Sequence, residues 1–418
     1  LRITGAGITV TGEVAASQDY PITRPTLNFN FTSQKKLDPR ITYQRTGPAS
    51  FTDEFGKVVL VGDNVPRFDH DPTTRECKGL LIEHGRTNLL SHSIPDTNWN
   101  LSHATITENA GIAPDGTNTA TLHSDTNTNN QHLMYMGGVS VSSATNYVIT
   151  SYLKQPSSNS RRYYSMTIHG LGYVIFDVQN GTVHNTSGTG IQGASITAVG
   201  NGWYRVMAHY VTTSTTGNIY WLPIADDGVN VVYTGTSTAQ GMLVWGCQLE
   251  QATYETSYIP TNGSTESRGA DFPVIVEENF SDVINQTEGT LIAEYDNVTS
   301  DGYVLSLDGS GGNKIGMVNS NSYQLMGTAG GVSQGTTDNG NLLSGTNRFS
   351  LAYKLNDAAI SINGNTATVD TSYTLPTTTF MSIGHRQYQY DQLGSCIARI
   401  MYYNTRLPNS QLKTLSTR

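Results

Sequence analysis

Charge is scarce in this 418-residue chain: Asp, Glu, Lys and Arg make up 14% of it and sum to a net −9. A nucleic-acid surface needs clustered lysines and arginines, and the basic runs stop at Lys35-Lys36 and Arg161-Arg162, so no nucleic-acid partner is expected. Cysteine is nearly absent. Cys77, Cys247 and Cys396 lie far apart, any pairing leaves an odd thiol, and no spacing among them suits a metal, so three reduced thiols and assembly in a reducing cytoplasm are expected. No apolar run approaches the ~20 residues of a membrane-spanning helix, so no membrane insertion is expected. Catalytic signatures are scarce too: there is no P-loop, and His84, His92 and His103 show no triad spacing. The chain starts at Leu1 rather than Met, and an upstream attachment domain is expected.

What the chain has in quantity is turn and strand residues. Its 42 glycines, with frequent Asn, supply the φ > 0 positions of tight turns, and its 23 tyrosines against 10 phenylalanines suit half-exposed strands. Long helices are not expected. The fold class read from this balance is all-β, in two or three domains, because the length exceeds one ordinary core.

Alternation locates the strands. Residues 146–154, 173–178 and 204–211 alternate apolar and polar side chains, with Asn180-Gly181 and Asn201-Gly202 between them, which is the spacing of a β-sandwich. Residues 289–295, 348–354, 359–364 and 397–403 do likewise and predict a second sandwich over 287–418. Residues 43–48 and 51–58 read as a short hairpin with its turn at 53–56. Residues 272–286, which hold Glu277-Glu278, read as a linker. Residues 1–30 alternate only weakly, through Ile3, Ile8, Val10 and Val14. So small a strand set buries too little to stand alone, so pairing with other chains or an upstream segment is expected; a frayed terminus is the alternative.

The densest motif is Pro66-Arg67-Phe68-Asp69-His70-Asp71-Pro72, followed by Gly79-Leu80-Leu81-Ile82-Glu83 and Arg86-Thr87-Asn88-Leu89. Two prolines fix φ and remove two backbone donors, so this stretch must be extended or turning and must find side-chain partners. Arg67, Asp69, Asp71, Glu83 and Arg86 are candidates to supply them as a charge-assisted network. Together with Asn88 they make a structural connector. In this order the motifs resemble a connector of bacteriophage virion proteins such as tail fibres. The resemblance implies N-terminal attachment and trimerisation strands over 1–30, the connector over 31–95, and display modules after it.

Ala113-Pro114-Asp115-Gly116, Gly202-Trp203-Tyr204-Arg205-Val206 and Trp245-Gly246-Cys247-Gln248-Leu249-Glu250 are similar to landmarks of the carbohydrate-binding-module-like jelly rolls that follow this connector. The closing Thr256-Ser257-Tyr258-Ile259-Pro260 and Arg268-Gly269-Ala270-Asp271 place one such module over 96–271. Residues 287–418, ending on Arg406-Leu407-Pro408 and Gln411-Leu412, resemble a concanavalin A-like (laminin G-like) β-sandwich. The resemblance thus implies an extended N-terminal oligomerisation segment followed by two β-sandwich (jelly-roll) domains.

Candidate chemistry is sparse. A glycan depolymerase needs two carboxyl groups across a sugar. Glu294-Tyr295-Asp296 begins like the catalytic strand of β-glucanases with the concanavalin A-like fold, but Asn297, Val298 and Thr299 follow where a second glutamate would stand. Glu294 is therefore expected to face water or another chain, and no catalytic residue is assigned. The resemblance implies a structural calcium ion as the one candidate cofactor, with Asp115, Asn118 and Asp125 as ligands and plain turn formation as the alternative. Sugar contact uses exposed aromatic rings beside amides and carboxylates. Trp203 and Trp245 fall in strand motifs and are expected in the core. Tyr303, Asn313, His385, Arg386, Tyr388 and Tyr390 fall in loops and are the expected carbohydrate contacts, burial against a neighbouring protomer being the alternative.

What the resemblance implies as a whole is a homotrimeric virion appendage, most simply a tail fibre, joined to other virion proteins through its N-terminus. Its expected task is non-catalytic adsorption to host surface polysaccharide, in which repetition of weak sites raises avidity. A purely structural head or neck decoration fibre is the alternative, and a glycan depolymerase the third reading.

Overall fold

In the computed structural model the described residues are 21, 23–157, 160–236, 240–296, 302–319, 323–338, 343, 345–386 and 391–417. The fold is all-β, and the longest described helix, Asn409–Ser416, has eight residues. The chain forms two compact units. A mid-chain unit takes Gln44–Cys77 and His84–Ala270; a terminal unit takes Leu1–Tyr43, Lys78–Glu83 and Asp271–Arg418. The stretch read as one connector, 31–95, therefore contributes to both units.

The mid-chain unit is a sandwich of two six-stranded antiparallel sheets. The first runs Ile191–Ala198, Tyr204–Val211, Asn146–Lys154, Gly241–Glu250, Ala120–Asp125, Ala104–Gly111. The second runs Thr182–Ser187, Tyr173–Asp177, Tyr163–Ile168, Thr216–Pro223, Leu133–Ser140, Asn100–Ser102. Alternate residues of both sheets meet between them: Ile149, Leu153, Val206 and Val244 from one, Met134, Met166, Phe176 and Trp221 from the other.

Gly241–Glu250 breaks the alternation, because all ten of its residues are buried. Its second face is covered by the connector. Val58, Tyr152, Trp203, Trp245 and Tyr258 form a separate apolar cluster there, and the indole N–H groups of Trp203 and Trp245 donate to Ile112 O and Thr119 Oγ1, each at 3.0 Å. Both tryptophans are core residues, as expected. Gly246 is required within this strand: its φ is +61°, and a Cβ there would meet the Tyr152 ring at 2.9 Å.

Polar side chains fasten the cover. Buried Asn88 donates to the carbonyls of Ile259 (2.9 Å) and Cys247 (3.2 Å) and accepts from the backbone N–H groups of Leu249 (3.1 Å) and Leu90 (3.2 Å). Gln248 accepts from Ile259 N at 2.7 Å, and Glu250 accepts from Thr256 N at 3.1 Å. Arg67, fully buried, donates to Ser50 O (2.9 Å) and Ser257 Oγ (2.8 Å), and Arg268 donates to Ser257 Oγ (2.8 Å) and His84 O (2.8 Å).

The expected hairpin turn at 53–56 is present, with Asp53 Oδ1 accepting from Phe55 N (2.9 Å) and Lys57 N (2.8 Å). Its arms are Ala49–Thr52 and Val58–Val61, however, and not 43–48. The reason is Arg45, whose buried guanidinium donates to Gly47 O and Gly62 O and so pulls that stretch out of the ladder.

In the terminal unit, one sheet carries Thr368–Asp370, Ala358–Ile362, Thr346–Lys354, Glu288–Asp296 and Ser395–Tyr403 in that order. The last of these is paired along its outer edge by two segments end to end: Leu80–Ile82 on Ser395–Ile397, and Leu27–Asn30 on Arg399–Tyr402. The facing sheet runs Phe272–Ile275, Phe380–Ile383, Gly302–Asp308, Lys314–Asn319, Tyr323–Ala329, Val332–Asp338. Leu291, Tyr295, Leu305, Phe349, Leu351 and Ile400 are fully buried. Helix Asn409–Ser416 lies on the outer face of the first sheet, with Leu412 packed among Ile292, Ala352 and Tyr403.

Two expectations are corrected here. Leu27–Asn30, expected to pair with other chains, pairs within its own chain because Leu27 and Phe29 are needed in this core; residues 1–20 and 22 lie outside the described residues. Residues 272–286 are not a linker, since Phe272–Ile275 is a sheet strand, Glu277–Ser281 a short helix, and Val274, Ile275, Phe280 and Ile284 are buried.

Asn88→Ala leaves four backbone groups without their partner, so we expect it to lower stability by about 2–4 kcal/mol, at about 1–3 kcal/mol per buried group left unpaired and with partial relaxation. The measurement is urea unfolding followed by tryptophan fluorescence; Thr87→Ala next door, which loses one hydroxyl contact to Ser267, is expected to cost under about 1 kcal/mol.

Candidate functional site

Of the loop residues expected to touch sugar, Tyr303 and His385 are buried. Tyr303 starts the strand Gly302–Asp308 and is buried, its ring over Gly316 with Lys314 Nζ at 5.5 Å and Arg386 Cζ at 6.0 Å. His385 is fully buried, stacks on Phe272 at 4.4 Å, and meets Pro273 O at 3.1 Å; burial holds its imidazole below the usual range. Asn313 ties two turns, accepting from Gly330 N at 2.9 Å and Gly309 N at 2.8 Å. Arg386 pairs with Asp391 at 2.6 Å. Tyr388 and Tyr390 lie outside the described residues. Burial of Tyr303 and His385 removes both as ligand contacts, because neither ring can present a face to a pyranose.

The remaining connector residues make structural contacts, near and far in sequence. Asp69 accepts from Thr52 N at 2.7 Å, and Asp71 caps its own turn through Thr73 N (2.8 Å) and Thr74 N (2.7 Å). Arg86 lies over the Tyr254 ring at 5.2 Å. Glu83 and Asp271 exchange backbone contacts, with Glu83 N donating to Asp271 Oδ2 at 2.7 Å and Asp271 N donating to Glu83 O at 3.1 Å.

The calcium candidates are otherwise engaged. Asp115 accepts from the backbone and hydroxyl of Thr117 (2.9 and 2.7 Å), and Asn118 donates to Asn109 O at 3.0 Å, which is turn formation. Asp125 is buried against Arg161, whose Nε donates at 2.8 Å, and also accepts from Tyr233 Oη (3.1 Å) and Thr236 N (3.0 Å). A guanidinium in that position repels a cation, so Asp125 is no calcium ligand. Among the described residues no group of three or more His, Cys, Asp or Glu side chains is gathered as a metal would require.

Glu294 does not simply face water either: Arg348 Nε donates to its carboxylate at 3.0 Å. Asp296, two positions on, is held above the usual carboxylate range by burial.

A surface that the sequence reading missed lies on the outer face of the second sheet of the mid-chain unit. Met134, Met136, Ile219, Trp221, Met166 and Ile168 point into the core, so strand periodicity sends Tyr135, Asn218 and Tyr220 to the opposite face, which they share with the buried Thr167. Cross-strand register aligns Asn100, Tyr135, Tyr220 and Thr167 in one row. The Tyr135 and Tyr220 rings meet edge to face at 5.3 Å, and His169 approaches Tyr220 at 5.4 Å. Both tyrosines are half-exposed, while Asn100 and His169 are exposed. Asn218 is fixed beside them, accepting from Gly138 N at 3.1 Å. One strand row away, Tyr173 Oη accepts from Gln131 at 2.9 Å. Gly137 keeps this face open, since any side chain there would stand between Tyr135 and Asn218. The result is a shallow platform of rings edged by amides, which can stack on apolar sugar faces and bond to hydroxyls. The signal was present in the sequence as the out-in pairs Tyr135-Met136 and Tyr220-Trp221.

No protein-family model matches this sequence, and no curated protein matches it. Solved structures offer local likenesses between β-sandwiches. Domain 4 of an extracellular arabinanase from Geobacillus stearothermophilus, in complex with arabinotriose, is similar at 11% identity over 35% of this chain and 73% of that one, with a TM-score of 0.31. The CBM40 domain of Ruminococcus gnavus IT-sialidase, bound to alpha2,3 sialyllactose, is similar at 16% identity over 34% and 88%, with a TM-score of 0.29. Domains LG4-5 of the mouse laminin alpha1 chain are similar at 12% identity over 68% and 89%, with a TM-score of 0.27. Scores this low speak to neither ligand nor activity.

Beneath the platform, the core holds His123, fully buried, with Nδ1 2.6 Å from Tyr164 Oη. Burial, and then nearby His132, push its pKa down to about 3 from 6.5. Below pH 6.5 the unfolded chain takes up a proton that the folded chain refuses until about pH 3. Stability is therefore expected to fall across that window, by up to about 1.4 kcal/mol per pH unit from this group. Urea midpoints measured from pH 7 to pH 4 should show a shallower acid decline for His123→Gln than for the parent chain.

Proposed function

We propose that the chain is a bacteriophage virion appendage, a tail fibre in the simplest case, whose two sandwiches display binding surfaces for non-catalytic adsorption to host surface polysaccharide. The virion assignment is supported by the order of the Pro66-Arg67-Phe68-Asp69, Gly79-Leu80-Leu81-Ile82-Glu83 and Arg86-Thr87-Asn88 motifs, whose resemblance is to virion connectors. The adsorption half is carried by one observation, the Tyr135–Tyr220 platform with its flanking Asn100 and Asn218. No bond cleavage is assigned to it: glycoside hydrolysis needs a carboxyl pair across the sugar, and this face offers rings and amides. Copy number then raises the strength of shallow sites, so the working form is a homotrimer joined to the particle through its N-terminal segment. The head or neck decoration reading shares this architecture and differs in needing no sugar contact.

Binding of the full chain to an array of bacterial surface polysaccharides tests the reading. The double variant Tyr135→Ala, Tyr220→Ala is expected to bind at least ~10-fold more weakly, a loss of about 1.4 kcal/mol per copy, with its melting temperature within a few degrees of the parent and the bound polymer recovered at full length. Equal binding by the variant would remove the platform, and new reducing ends would restore the depolymerase reading. Sedimentation of the full chain should give three copies per particle; a monomer at micromolar concentration would remove the avidity argument.

A further inference from the structure

In the terminal unit, the outer face of the sheet carries a charge row that the platform does not use. Register aligns Arg399 with Glu294 and Glu294 with Arg348 across three neighbouring strands. The adjacent row aligns Asn28 with Met401 and Met401 with Ile292. With Pro25 on one side and Leu415 of the C-terminal helix on another, these residues enclose a cavity of about 290 Å³.

Its charges do not cancel. Arg348 is engaged twice, by Glu294 at 3.0 Å and by Thr417 O at 2.7 Å. Arg399 uses Nε alone, on Asn28 Oδ1 at 3.0 Å, and no carboxylate pairs with it among the described residues. Its two terminal nitrogens remain for an acceptor of matching planar geometry, which a carboxylate supplies bidentately. The pocket is net positive on a chain of net charge −9, which favours an anion there. The floor beneath is apolar, through Met401 and Ile292, which suits the C–H face of a ring better than a fully hydrated inorganic ion. The volume lies near the lower end of the ~300–1,000 Å³ range of ligand pockets, so one ring fits and an oligosaccharide does not.

We propose that this cavity binds a single carboxylate-bearing sugar unit, a uronic acid at the end or on a side branch of an acidic polysaccharide, with its carboxylate on Arg399 and its ring over Met401 and Ile292. The proposal deepens the adsorption reading and rests on it for the origin of the ligand, although the binding chemistry can be measured alone.

Calorimetry and saturation-transfer NMR on the full chain, with free glucuronate against glucose as its neutral counterpart, test it. Glucuronate is expected to bind at least ~10-fold more tightly than glucose, and Arg399→Gln to weaken it at least ~10-fold at an unchanged melting temperature. Arg399→Lys keeps the charge without the planar fork and is expected to fall between the two, which gives a second reading should the glutamine variant fold poorly. Thr87→Ala, in the other unit and in neither binding surface, should leave glucuronate binding unaltered. Glucose bound as tightly as glucuronate, acetate displacing glucuronate at equal concentration, or Arg399→Gln binding like the parent would each overturn the assignment. A chain that binds glucuronate but no bacterial polysaccharide keeps the cavity and discards adsorption. Polysaccharide binding insensitive to Arg399→Gln does the reverse.

Discussion

The mid-chain unit depends on one strand being buried on both faces. Gly241–Glu250 has backbone partners on either side, but the Gln248 and Glu250 side chains near its end are away from water and must be answered within the protein. The 256–259 return answers them, and Asn88 fixes that return to the strand. The connector is therefore a third layer of this unit and not a spacer, which explains why its arginines are aimed at carbonyls and a serine hydroxyl. Remove the polar fastening and the apolar cluster around Trp203 and Trp245 loses its cover as well.

Covering one sheet decides what the other can do. Residues of the first sheet that would otherwise face outward are used to hold the connector, whereas the second sheet keeps a face of half-exposed rings. Tyr and Asn there are stiff or locally bonded, so little side-chain order has to be gained on contact with a ligand. The terminal unit solves a similar problem with a helix, which covers Ile292 and Ala352 but stops short of the Arg399–Glu294–Arg348 row.

Much of the fold was legible because strand periodicity is local. Asn146–Lys154, Tyr204–Val211 and Ser395–Tyr403 fall where alternation placed them, whereas Trp245 is buried because the connector covers the second face of its strand. The sites were less legible because they depend on partners distant in sequence. Tyr303 reads as a loop aromatic until a strand beyond the next turn presents Gly316 beneath its ring, and His385 reads as exposed until Phe272 stacks on it. Arg399 carries no motif at all; only the register of three strands sets it beside Glu294. Tyr135 and Tyr220 could have been found, since their neighbours Met136 and Trp221 mark the inward face.

The doubly paired edge of Ser395–Tyr403 has a consequence for synthesis. Asn30 and Arg399, directly paired, stand 369 positions apart, and so remote a closure is slow to find its partner. As the ribosome makes the chain from its N-terminus, Leu27, Phe29 and the Leu80–Ile82 segment emerge long before the strand that shelters them. These apolar edges therefore remain bare while the mid-chain sandwich is being made, and the terminal sandwich is sealed only once Ser395–Tyr403 has emerged. A truncation that removes the last two dozen residues thus unroofs segments at both ends of the sequence at once, and the nascent chain is most exposed to self-association in that interval.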